Sequence, residues 1–206
     1  MKNPFYKEIT SAQELTELFG EQSELVKNKV IHHLDFHCRN FISHSPFLII
    51  STSDKDGRCD ASPRGDAPGF VCVLDDKWLI IPERPGNKRL DTIRNILSNP
   101  RAGLLFFIPG TGETLRVNGN AKVIMDHELL EKLSINGKLP LAAIAVQAEE
   151  CYLHCAKAIK RSGLWETRIE NFIDGAAILR DHAGLPNTSV EDVRRNLNES
   201  YRDRLY

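Results

Sequence analysis

Residues 82–90, Pro-Glu-Arg-Pro-Gly-Asn-Lys-Arg-Leu, bring together side chains able to hold an anion. They follow the apolar run Trp78, Leu79, Ile80, Ile81 and lead into Leu90, Ile93, Ile96 and Leu97 at helical spacing. A strand therefore ends in a turn that delivers Lys88 and Arg89 to a helix start, with Asn87 as the expected N-cap. Free N–H groups and the positive helix end favour an anion there. Adjacent cations suit a phosphate better than a carboxylate. Residues 84–101 carry Arg84, Lys88, Arg89, Arg94 and Arg101 against Asp91 alone, in a chain whose net charge is −1. The expectation is a phosphate site for a small cofactor; the bland alternative is a surface helix start with ordinary basic residues.

Three further segments carry candidate ligands. In Asp60-Ala61-Ser62-Pro63-Arg64-Gly65-Asp66, Pro63 and Gly65 constrain and free the backbone around Arg64, which reads as a loop presenting a guanidinium or as a turn with a solvated arginine. Arg116 lies between Leu115 and Val117 on a strand, where alternation could equally aim it at solvent. Lys160, Arg161 and Ser162 end a helical stretch close to Trp165, and cations at a helix C-terminus are ordinary dipole partners. Other patterns fail on chemistry. Residues 109–114, Pro-Gly-Thr-Gly-Glu-Thr, imitate an ATP-binding loop but put Glu113 where a lysine belongs, so they read as a hairpin turn. Cys151, His154 and Cys155 fit no zinc spacing, and no metal site is expected. No Ser/His/Asp constellation is visible, so no catalytic residue is assigned.

The elements that must position these residues follow from patterning. Ser11 and Glu14 form a capping box ahead of Leu15, Leu18 and Phe19, and a second helix is expected from Ser23 through Val26, Val30, Ile31 and Leu34. Strands are expected over 47–52, 59–62, 70–74, 77–81, 102–108, 114–125 and 141–146, with helices near 87–97 and 127–133. Short strands with tight turns and few helices between them exclude a doubly wound parallel sheet and point to an antiparallel barrel. A last helix, capped by Thr188 and Glu191, carries the narrow stripe Val190, Val193, Leu197 and Tyr201, suited to a neighbouring surface.

Composition sets bounds. With 206 residues, 41% hydrophobic and 27% charged, the chain can bury a sizeable core. Near-neutral charge argues against coating nucleic acid. No apolar run approaches the roughly 20 residues that span a bilayer, and the N-terminus has no signal-type segment. Five widely spaced cysteines read as reduced thiols, and the expected location is cytoplasmic.

Residues 45–119, with Ser-Pro-Arg-Gly-Asp at 62–66, Pro-Gly-Asn-Lys-Arg at 85–89 and Arg-Val-Asn-Gly at 116–119, resemble the pyridoxamine 5'-phosphate oxidase-type FMN-binding flavoproteins. The later run from His154 to Trp165 resembles a branch of unassigned substrate. The resemblance covers about residues 25–165. It implies an antiparallel, Greek-key, FMN-binding split β-barrel over 41–165. With the helices read from patterning, the expected chain is mainly β with flanking helices: N-terminal helices over 1–40 packing on the barrel and a C-terminal extension with a terminal helix over 166–206. The resemblance also implies a homodimer with FMN at the subunit interface. Asn87, Lys88 and Arg89 would clasp the FMN phosphate, Ser62, Arg64 and Gly65 would add to that clasp or to the ribityl contacts, and backbone at Ile81 and Pro82 would run beside the ring. Arg116, with Lys160, Arg161 and Trp165 from the partner, would border the ring or phosphate. The implied activity is FMN-dependent oxidation or reduction of a small organic molecule. A flavin-binding sensor or storage module without turnover is the alternative, and a non-flavin phosphate binder a third. The chain ends at 201–206 in Tyr-Arg-Asp-Arg-Leu-Tyr, without the substrate-binding signature of true pyridoxamine 5'-phosphate oxidases, which speaks against vitamin B6 oxidation.

Overall fold

The computed structural model describes residues 4–166, 173–184 and 187–203. Helix α1 (Ala12–Phe19) starts at Ser11, whose hydroxyl accepts the Glu14 N–H at 3.2 Å, while the Glu14 carboxylate accepts the Thr10 N–H at 2.8 Å. Helix α2 (Glu24–Asn28) is much shorter than the expected run to Leu34. The reason is tertiary: Ile31 donates to Cys151 O (3.0 Å) and accepts from Cys151 N (2.7 Å), so its backbone is extended against the sheet. A separate helix α3 (Phe36–His44), unforeseen in the sequence, begins at Asp35, whose carboxylate accepts the Cys38 N–H, and buries Cys38 and Ile42.

Seven strands follow: β1 (Phe47–Ser53), β2 (Cys59–Gly65), β3 (Cys72–Val73), β4 (Trp78–Pro82), β5 (Arg101–Phe107), β6 (Thr114–Ile124) and β7 (Ala143–His154). They form one antiparallel sheet in the order β2-β1-β5-β6-β7-β4-β3. The sheet is open, and the arrangement is consistent with a split barrel. Helix α4 (Asp91–Ser98) links β4 to β5 across the sheet and α5 (His127–Glu131) links β6 to β7; α6 (Lys157–Ser162), α7 (Gly175–His182) and α8 (Val190–Asp203) complete the described residues. No described helix is long and apolar enough to cross a membrane.

Alternation along the strands sorts the side chains into two clusters. Leu48 and Ile50 of β1, Leu104 and Phe106 of β5, Leu115 and Val117 of β6, and Leu79 and Ile81 of β4 fill the interior with Leu34, Ile42 and Ile96. Ile80, on the other face of β4, packs with Ala143, Ala145, Leu130 and Leu133 beneath α5. Each such fully buried large aliphatic or aromatic side chain contributes about 1.5–3 kcal/mol.

Strand β7 runs well past the expected end at 146, because Gln147, Glu149 and Glu150 hide a half-exposed strand inside a polar run. It also contains a bulge: Asn118 pairs with Glu150 but Gly119 pairs with Ala148, leaving Glu149 as the extra residue. The inward parity therefore switches from Ile144, Val146 and Ala148 to Cys151. At the tail, Ser189 rather than Thr188 caps α8, accepting the Asp192 N–H at 3.1 Å. Val193 of the apolar stripe is buried where α8 packs on α7, and Arg194 meets Asp174 at 2.9 Å. Residues 204–206 lie outside the described residues.

The bulge leaves no room opposite Gly119, where an added Cβ would lie 1.9 Å from the Gln147 carbonyl oxygen. Gly119→Ala should therefore destabilise the chain by about 3 kcal/mol or more, the upper range for forced overpacking. Urea unfolding measures it; a change below about 0.5 kcal/mol, the scale of an ordinary surface substitution, would show that the ladder yields freely here.

Candidate functional site

Strand β2 is an edge strand, which is why Pro63 can sit within it. The Ser62–Gly65 segment, expected to be a loop, is thus a strand, and its alternation half-buries Asp60, Ser62 and Arg64 on one face while exposing Cys59, Ala61, Pro63 and Gly65 on the other. Opposite, the chain leaves β4 at Pro82 and reaches α4 through residues 83–90. Lys88 (φ 62°) and Leu90 (φ 58°) adopt left-handed backbone, which breaks any helical run before Asp91. The N-cap is accordingly Leu90, not Asn87. Asn87 instead closes a tight turn, its side-chain oxygen accepting the Arg89 N–H at 3.0 Å.

Between these walls lies a cleft of about 360 Å³. Of the residues expected to hold a cofactor, Ser62, Arg64, Gly65, Pro82, Asn87 and Arg89 line it. Lys88 is exposed on the same turn. Ile81 is fully buried in the barrel interior. The remaining four do not line the cleft of their own chain. Arg116 donates to the Tyr152 hydroxyl at 2.9 Å, with Lys29 over the same ring. Lys160 and Arg161 are exposed near the end of α6, and the Trp165 indole N–H donates to Thr111 O at 2.8 Å.

The floor of the cleft comes from a contact that sequence reading did not single out. The Thr92 hydroxyl, itself 2% exposed, donates to an Asp60 carboxylate oxygen at 2.6 Å, and the same carboxylate accepts the Ser62 hydroxyl at 2.9 Å. This ties α4 to β2 beneath the cleft. The local cation excess counted along residues 84–101 is answered only in part in space: Arg84 meets Asp66 at 3.0 Å and Arg101 meets Glu149 at 2.6 Å. Beside the segment Arg64 meets Glu83 at 3.2 Å, and within it Arg89 pairs with Asp91. The last pair holds the Arg89 guanidinium above its ordinary pKa, chiefly through the hydrogen bond to Asp91. One donor is left over: Arg64 Nε is buried with no hydrogen-bond partner among the described residues. The Asp60, Ser62, Arg64 alternation was the available signal for a strand face, obscured by Pro63 and Gly65.

Other clusters have different chemistry. Among the described residues no group of three or more His, Cys, Asp or Glu could hold a metal ion. Cys38 and Cys151, both buried, contact each other by a thiol hydrogen bond that lowers the pKa of Cys151 and, as its largest cause, raises that of Cys38.

A family model described as pyridoxamine 5'-phosphate oxidase matches residues 34–155. No curated protein matches. Among solved structures, a putative pyridoxamine 5'-phosphate oxidase from Lactobacillus delbrueckii is 22% identical with a TM-score of 0.45, covering 59% of this chain and 99% of that one. HutZ, the heme storage protein from Vibrio cholerae, is 16% identical with a TM-score of 0.42, covering 59% and 94%. An FMN-binding protein from Syntrophomonas wolfei is 13% identical with a TM-score of 0.43, covering 68% and 92%.

Beside Tyr152, His154 titrates below the ordinary histidine value because of burial first, then Arg116 and Lys29. The folded chain thus takes up this proton less readily than the unfolded one, whose value is about 6.5. The resulting stability is complete above about pH 6.5 and is lost as pH falls toward the depressed folded value. His154→Gln should flatten that part of the stability–pH curve in thermal unfolding; parallel curves for the two proteins would refute the assignment.

Proposed function

This chain belongs to the pyridoxamine 5'-phosphate oxidase family, and from that premise we propose that it binds FMN in the β2–α4 cleft and works as an FMN-dependent oxidoreductase on a small organic molecule. The observation that carries the reading is the convergence on one cleft of the Asn87–Arg89 turn with Ser62 and Arg64, the latter retaining a buried Nε–H without a partner. The residues fit a phosphate-bearing cofactor. A buried donor left unmade costs about 1–3 kcal/mol, and an anionic ligand supplies an acceptor of the right charge for it. Arg89 reaches such a ligand by leaving Asp91; its side chain is 77% exposed, and exposed ion pairs are weak enough to exchange.

Lys88 and Arg89 would hold the phosphate, with Ser62 and Arg64 beside it. Pro82, buried at the end of β4, would give the cleft a rigid wall. When bound, the flavin supplies hydride or single-electron chemistry, so the protein's part is to bind, orient and exclude water. Arg116, Lys160, Arg161 and Trp165 lie off the cleft of their own chain, and in a homodimer they would meet the cofactor from across the interface.

The visible absorption spectrum of the purified protein, before and after adding FMN, tests the cofactor. Oxidised-flavin bands that remain after gel filtration are expected; a protein that stays colourless after incubation with FMN would remove the reading. Lys88→Ala combined with Arg89→Ala should weaken FMN binding at least about tenfold, a loss of about 1.4 kcal/mol, with unchanged circular dichroism. Unchanged affinity would place the phosphate elsewhere.

A further inference from the structure

Strands β2 and β4 are separated in the sheet by β1, β5, β6 and β7, so no backbone ladder joins them. Their C-terminal ends nevertheless meet at the cleft through two ion pairs of opposite sense. Arg64, on β2, meets Glu83 just after β4, and Asp66, just after β2, meets Arg84 just after β4. The side chains are withdrawn from water: Arg64 and Glu83 are 17% and 21% exposed, Arg84 and Asp66 16% and 1%. Each side is anchored to its own neighbour, since the Asp66 amide donates to Pro46 O and the Glu83 amide donates to Ala142 O, both at 3.0 Å.

We propose that these crossed pairs are a clasp closing the mouth of the split barrel, and that Glu83 and Asp66 are positioning residues for the anion site. The ligand in this statement rests on the flavin reading above. Asp66 stands outside the lining of the cleft, and Glu83, which lines it, acts through its pair with Arg64. They hold the end of β2 against residues 83–84, so that Arg64 and the Asn87–Arg89 turn face the same cleft. The crossed sense matters physically: each strand end contributes one cation and one anion, so closing the mouth adds no net charge to the seam. A sliding of β2 by one residue would turn Arg64 to the opposite face and break both contacts at once.

Glu83→Gln keeps the side chain's size and removes its charge. Amide hydrogen exchange at Asp66 and Glu83 reports the clasp without any ligand, and FMN titration followed by flavin fluorescence reports the positioning. Exchange at both amides should quicken at least about tenfold, and FMN affinity should fall by a similar factor. Adding Asp66→Asn to Glu83→Gln should then weaken FMN binding by less than the product of the single effects, because one clasp opens only once. Unchanged exchange overturns the clasp. Faster exchange with unchanged FMN affinity overturns the positioning role. If the unaltered protein takes up no FMN, the flavin reading and the positioning role fall with it, while the exchange rates still decide the clasp. Where Asp66→Asn fails to fold, Glu83→Gln alone decides.

Discussion

The cleft depends on a mismatch in the longest ladder of the sheet. At Glu149 strand β7 carries one residue more than β6 can pair, and the missing side chain of Gly119 lets the Gln147 carbonyl approach. A bulge bends its strand and sharpens the local twist. Before it, even-numbered residues of β7 point inward; after it, Cys151 does, and the backbone of that residue captures Ile31. The sheet can therefore curl around a single interior while its far ends approach one another. Without that curl, β2 and the loop after β4 would be opposite margins of a flat sheet.

Charge in the cleft is a property of the curled sheet and not of any stretch of sequence. Within the basic segment 84–101, Arg84 finds its acid in Asp66, 18 positions earlier, and just outside it Arg64 crosses to Glu83 over 19. Parting either of these half-buried pairs leaves the remaining charge poorly solvated. Arg64 and Arg84 are consequently held in place, whereas Arg89, exposed beside Asp91, keeps its freedom. The fold thus separates fixed cations from an exchangeable one within a single cleft, which is a useful arrangement for a ligand that must both dock and leave.

Much of the fold was legible because apolar alternation is a direct imprint of burial. β1, β4, β5 and β6 stand where their Ile, Leu, Val and Phe residues put them. The misreadings have physical causes. Val26, Val30, Ile31 and Leu34 imitate a helical stripe, yet the peptide at Ile31 is claimed by a strand 120 residues later. β2 was foreseen only in part because Pro63 and Gly65 carry turn chemistry, and β7 because its outer face is acidic. The turn at Asn87–Arg89 was legible as a turn ahead of a helix, but the helix cap was not: the left-handed Lys88 and Leu90 leave no mark in residue type. The contact between Asp60 and Thr92 was invisible, since a hydrogen bond across 32 positions exists only once α4 has docked.

Pro63 also bears on how the molecule behaves in a crowd. The Asp66 amide points to β1, where it bonds Pro46 O, and amides alternate in direction along a strand. Pro63 has the opposite parity, so its nitrogen lies on the outer margin of the sheet. A bare strand margin recruits other strands through its unpaired N–H groups, and that is the usual start of fibrous association. Here the ring interrupts that row of donors midway along β2 while costing the bond to β1 nothing. The residue that disguises the strand in the sequence thus removes an outward donor from the margin at which another chain would have to pair.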